Sequence, residues 1–122
     1  VGGEGVLPQS VVASVGGAKV TSDTADRFAT NIAVLNYFKE NGGLDFTNIY
    51  VAAGGSTQDQ FADALVASAA AAKTGSPLVL TGVGAGSTQV TNANSYILSN
   101  ATDDSNNSRW NFLCFFRNRS SA

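Results

Sequence analysis

Only a handful of residues in this chain have types and spacing that could support chemistry. Gly54-Gly55-Ser56 follows the apolar run Ile49–Ala53 and precedes an alanine-rich segment. A turn between a strand end and a helix start can offer backbone amides to an anion. A dinucleotide fingerprint would need G-x-G-x-x-G and an acid about 20 residues later. Here only two adjacent glycines precede Ser56-Thr57-Gln58, so a plain turn with a helix cap stands beside anion binding as a reading. Asp26 and Arg27 open a helical pattern beside a Ser/Thr-rich turn. There Asp can complement the macrodipole, and Arg can pair with a carboxylate or grip a phosphate with both arms. Lys73 is either a C-terminal helix charge or a contact for an anionic ligand. Asp59 and Asp63 lie four apart, and two carboxylates can do acid–base work or cleave a glycoside when correctly separated. No base, nucleophile or metal partner accompanies them. The chain has no histidine, and Cys114 is its one cysteine. An intramolecular disulfide, the usual zinc sites and imidazole-dependent triads are thereby excluded. These residues favour binding over catalysis, and no cofactor or metal is expected.

The elements that must position them are legible from Asn48 to Gly82. Ile49–Ala53 and Pro77–Leu80 are short, almost continuous apolar runs, as expected of inner strands covered on both faces. Between them Ser56 or Thr57 can cap a helix with Asp59 in its first turn. Phe61, Leu65, Ser68, Ala69 and Ala72 recur at helical spacing and predict the face laid on the sheet, with alanines keeping the helix slim. Lys73, Gly75 and Pro77 spell a helix stop. Connections this short require a crossover to a parallel neighbour, so the fold class is α/β with a mainly parallel sheet flanked by helices.

Upstream, Val1–Gly3 reads as the tail of a strand and Leu7–Val15 as a short helix, with Leu7, Val11, Val12 and Val15 on one face. A brief strand is expected at Ala18–Val20. A helix from about Ala25 to Asn41, capped by Ser22, Asp23 or Thr24, carries Phe28, Ile32, Leu35 and Phe38 at helical spacing. Downstream, Thr88–Ser99 is amphipathic, with Val90, Ala93 and Ile97 on one side alongside Tyr96. Gly-Ser-Thr-Gln occurs at Gly55–Gln58 and again at Gly86–Gln89, which reads as repeated capping chemistry. Residues 99–108 form a polar break. Arg109–Arg117, with four of the chain's aromatic residues, is then an edge strand, an interface segment or sequence foreign to the fold.

The 122 residues suit one domain, and 13% charged residues is low against about 25% for a typical soluble domain. A neighbouring module covering part of the surface would account for this. Residues 1–108 hold four cations against nine acids, while the last fourteen carry three cations. A mostly acidic body argues against nucleic acid, whose phosphates require a basic face. No stretch approaches the roughly 20 apolar residues of a membrane span.

With the elements in place, five tracts resemble the cell wall binding repeat 2 family. They are Val1-Gly-Gly-Glu-Gly-Val-Leu-Pro8, Asp26-Arg-Phe-Ala-Thr30, Phe61-Ala-Asp-Ala-Leu-Val-Ala67, Ala70-Ala-Ala-Lys-Thr-Gly75 and Pro77-Leu-Val-Leu-Thr-Gly82. The resemblance covers residues 1–98, with 1–17 matching the end of a preceding repeat and 99–122 a polar linker and aromatic, basic tail. It implies a Rossmann-like three-layer unit of a Gram-positive surface protein, noncatalytic and extracellular. Such modules usually stand three in tandem and bind an anionic secondary cell wall polysaccharide. Here the partners would be neighbouring modules or further copies of the chain, a trimer among them. For such a polymer the candidate ligand-binding residues are Asp26, Arg27, Thr30, Gly55, Ser56 and Lys73. Thr21-Ser-Asp-Thr24 stands where the family usually has Arg-Ile-x-Gly, so no basic contact is carried onto those positions. Two other readings remain open: a small-molecule or nucleotide-binding domain of an enzyme, and a structural spacer without ligand.

Overall fold

The computed structural model describes residues 1–57 and 61–101 and the strand backbone of 112–115. The chain forms two units, Val1–Gly43 and Leu44–Ala122.

The second unit is a small α/β unit on a parallel sheet. β1 (Ile49–Ala53) is buried at every position. It pairs in parallel with β2 (Leu78–Thr81), Val51 opposite Val79, and with β3 (Phe112–Phe115), Ile49 opposite Phe112. The ladder runs on at both ends, with Tyr50 N donating to Pro77 O at 2.9 Å and Gly54 N to Thr81 O at 3.0 Å. The order β2-β1-β3 makes β1 the inner strand and puts β2 at the edge of the described sheet, where an inner place was expected. Burial along β2 alternates accordingly, with Val79 and Thr81 buried and Leu78 and Leu80 half-buried. An apolar run reports burial and does not count neighbouring strands.

α3 (Ala62–Thr74) packs on β1 and β2, and α4 (Ser87–Asn100) packs on β2. The buried residues of α3 are Ala67 and Ala71, at 0% and 3% exposure, and Ala52 and Val79 of the strands are at 0%. The buried face of α3 is therefore made of alanines, which let the helix lie close to the strands. This overturns the predicted face: Phe61 and Leu65 are exposed, at 39% and 68%. In a helix this rich in alanine both faces are apolar, and the slimmer one permits the closer approach, so the bulky residues turn outward. The helix start also differs. α3 begins after Phe61 without a side-chain cap, so Ser56 and Thr57 do not cap it, and Asp59 lies outside the described residues. The stop is as read: Lys73 in the last turn, left-handed Gly75, and Ser76 N donating to Ala71 O at 2.9 Å.

The segment entering β1 is tied to that stop. Asp45 N donates to Gly75 O and Asp45 Oδ1 accepts from Thr47 N, both at 2.8 Å. Hydrogen bonds from the Thr47 hydroxyl and amide hold the Asp45 carboxyl below the usual carboxylate range. α4 buries Ala93, Tyr96 and Ile97, the face read from the sequence. Burial without a hydrogen-bond partner raises the Tyr96 phenol above its ordinary pKa.

In the first unit, α1 (Gln9–Ser14) follows Pro8 and α2 (Arg27–Asn41) follows Asp26. Neither Val1–Gly3 nor Ala18–Val20 is a strand; both are irregular. Of the valine face expected on α1, only Val12 is buried, while Val11 and Val15 are 48% and 76% exposed. A helix of six residues presents less than two turns, too little for a full stripe. On α2, Phe28 and Leu35 are buried and Phe38 is exposed.

The close approach of α3 predicts a specific vulnerability. Ala67→Leu should destabilise the protein by about 1–3 kcal/mol, because Ala67 is fully buried and the added carbons must displace packed neighbours. A lower urea midpoint with an unchanged slope would show this; an unaltered midpoint would mean that α3 is held less tightly.

Candidate ligand-binding site

Three of the residues singled out in the sequence share the first turn of α2. Asp26 is the N-cap, in extended backbone, and its Oδ1 accepts from Ala29 N at 2.7 Å. Its carbonyl accepts from Thr30 N at 2.8 Å. The cap is thus Asp26, and not Ser22, Asp23 or Thr24 as the sequence suggested. Asp is a strong N-cap because its short carboxylate folds back on the amide three residues later, and the negative charge meets the positive end of the helix dipole. This leaves Asp26 with a structural duty. Arg27 is exposed at the first helical position, and its guanidinium carbon lies 4.7 Å from the centroid of the Phe28 ring. The ring is itself buried, so it offers a fixed platform for the cation. Thr30, one turn on, is half-buried. The turn therefore presents a fixed cation at the end of a helix whose dipole also favours anions.

Gly55 and Ser56 lie just beyond the C-terminal end of β1, in the other unit. Gly54 and Gly55 are buried and Ser56 is exposed. Gly55 has φ +68°, a conformation that side-chain-bearing residues rarely adopt, so the tight exit from β1 depends on glycine there. Because α3 starts at Ala62, Gly55 and Ser56 do not belong to its first turn.

The loop leaving β2 stands at the same end of the sheet. Thr81 is buried, Ala85 N donates to Gly82 O at 2.9 Å, and Gly86 is the N-cap of α4. Gln89 Oε1 occupies the space beside Gly86, 2.7 Å from where a Cβ would stand, which places the side chain of the third helical residue back over the cap. The second Gly-Ser-Thr-Gln tract thus opens a helix, whereas Gly55–Thr57 of the first precede α3 without capping it, and Gln58 lies outside the described residues. The β2–α4 loop was missed as a candidate site element. Its signal was available in the glycines of Val83-Gly-Ala-Gly86 after an apolar run, because open α/β sheets bind at the carboxyl ends of their strands.

Lys73 lies in the last turn of α3, beside the segment that enters β2. It therefore stands at the opposite end of the sheet from Gly55 and Ser56, about 16 Å along α3 from the helix start at 1.5 Å per residue. The structure brings Asp26, Arg27 and Thr30 together, and Gly55 with Ser56, but it separates Lys73 from the latter pair. Among the described residues no group of three or more His, Cys, Asp or Glu could hold a metal, and no helix is long and apolar enough to cross a membrane.

The Leu44–Ala122 unit, with glycine-rich loops at the carboxyl ends of its parallel strands, has the frame on which open α/β sheets hold ligands. Residues 22–108 match the profile of Cell wall binding domain 2 (CWB2). The chain belongs to that family. Comparison with curated proteins and with solved structures gave no match.

The cap carries a prediction. Asp26→Ala should lower stability by about 1 kcal/mol, and Asp26→Asn should recover most of it, since Asn caps nearly as well. Urea unfolding of the three proteins measures this; equal midpoints for the parent and the Ala variant would remove Asp26 from its capping role.

Proposed function

We propose that the chain is a noncatalytic module that holds an extracellular protein on a Gram-positive cell wall by gripping an anionic secondary polysaccharide. The observation that carries the reading is the family match across residues 22–108. It is supported by the Arg27 guanidinium, exposed at a helix start and backed by the Phe28 ring. Arg offers a planar fork of N–H donors to phosphate or carboxylate oxygens. Thr30 adds a hydroxyl one turn away, and Asp26 holds the turn in shape. At the Gly55–Ser56 turn the exposed Ser56 meets a second stretch of polymer, and Lys73 brings a charge to a further one.

One exposed Arg and a few polar groups give weak binding by themselves. Strong retention would come from several modules engaging one polymer, each raising the effective concentration for the next. We read residues 1–17 as the end of a preceding repeat, and neighbouring modules or further copies of the chain, in a trimer for example, as the source of that multivalency.

Cosedimentation with Gram-positive walls tests the proposal, before and after acid extraction of their secondary polymers and beside an Arg27→Ala variant. Retention on intact walls should be lost on extraction and reduced roughly tenfold in the variant, as for loss of a charge-assisted contact. Retention that survives extraction, or that ignores the substitution, would refute the polymer reading or the role of Arg27 respectively.

A further inference from the structure

Lys19, which has no assigned contact with the polymer, has its side chain shielded from water. Lys19 lies on the irregular stretch between α1 and α2, and its side chain is only 6% exposed. Nζ donates to Asp23 Oδ1 at 2.6 Å and to Glu4 Oε2 at 3.3 Å. Both carboxylates are more than half exposed, so the ion pairs work mainly by fixing geometry and add little stability of their own. The hydrogen bond to Asp23, with that to Glu4, raises the Lys19 pKa and keeps the group charged.

Both acceptors are themselves tied into the backbone. The Glu4 carboxylate accepts from Gln9 N through both oxygens, at 3.0 and 3.1 Å, and Glu4 N donates to Asp23 O at 2.8 Å. Thr21, buried, accepts from Gly2 N and donates to Gly2 O, each at 2.8 Å. Between these links the two segments nearly touch: a Cβ on Gly3 would stand 2.9 Å from Ala25 O and 3.0 Å from Asp23 O, so only glycine fits. Residues 2–4 and 21–25 thus form one clamp with Lys19 across it. The clamp ends one residue before Asp26, the cap of the turn that presents Arg27.

We propose that Lys19 is the positioning residue of that turn: by fixing Asp23 against Glu4 it holds the Asp23–Ala25 backbone from which Asp26 and Arg27 emerge. It acts through Arg27 without touching the polymer, and its functional half rests on the wall-binding reading. Thr21 contributes the same hold through Gly2. The Thr21-Ser-Asp-Thr24 run thereby acquires a purpose on the inner side of the turn.

Two readouts keep this proposal separate from wall binding. The first is amide hydrogen exchange in the free protein. Lys19→Met should speed exchange about tenfold at Ala29 and Thr30, whose amides bond to Asp26, and leave Ala101, bonded to Ile97, unchanged. Lys19→Arg should restore slow exchange, because it keeps the charge and the donors. The second is a double-substitution cycle on cell walls: Lys19→Met should lower retention when Arg27 is present and add nothing when Arg27 is replaced by Ala. Unchanged exchange at Ala29 and Thr30 would overturn the proposal whether or not the walls bind. So would equal acceleration throughout residues 1–43, which would make Lys19 a general stabiliser, or additive losses in the cycle. Local acceleration in a protein that walls never retain would uphold the clamp and overturn its service to the polymer.

Discussion

In the Leu44–Ala122 unit, everything that could meet a ligand depends on the parallel pairing of β1 with β2 under a helix slim enough to lie almost on the strands. Ala67 and Ala71 on α3, with Ala52 and Val79 beneath, have essentially no contact with water. Close packing of this kind is intolerant of added volume, and that intolerance fixes the spacing of the layers. With α3 anchored, its C-terminal end is stitched to the entry of β1 through Asp45 and Gly75. The glycine loops at the other end of the sheet then inherit a fixed frame. Rigid strands holding variable loops is the usual division of labour in α/β sheets.

The Val1–Gly43 unit solves the same problem by other means. It has no sheet, and its one long helix is oriented by polar links: the Asp26 cap and the paired Lys19, with Thr21 and Glu4 behind it. Arg27 is displayed at the point where these links converge. A cation on a flexible loop would lose more conformational entropy on gripping a polymer than one already fixed at a helix start, and the stacked Phe28 ring adds to that preorganisation.

Much of this could be read in the residues because several signals agreed. Ile49–Ala53 was apolar throughout, Gly75 and Pro77 ended a helix, and Ala93, Tyr96 and Ile97 recurred at helical spacing. Where the reading failed, two solutions had similar local merit. Phe61 and Leu65 mark one face of α3 and Ala67 and Ala71 another, and hydrophobic periodicity favours bulk while close packing favours smallness. Ser22, Asp23, Thr24 and Asp26 are all good caps, and only tertiary links decide among them: Asp23 is engaged by Lys19, which leaves the cap to Asp26. The clamp itself was illegible, since a lysine paired with acids 4 and 15 residues away looks like any surface charge until its burial is known. For the site, residue types pointed to the Asp26–Thr30 turn, but not to the β2–α4 loop or to the separation of Lys73 from Ser56.

The claim at the centre of this account is that an anionic wall polymer meets the start of α2. The most direct measurement is a titration of the isotope-labelled protein with solubilised, acid-extracted wall polymer, followed by backbone amide shifts. The account predicts saturable shifts at Arg27 and Thr30, accompanied by Gly55 and Ser56, with Ala67 and Ala71 unmoved. Saturable shifts confined to other surfaces, or none at polymer concentrations that retain related modules, would contradict it.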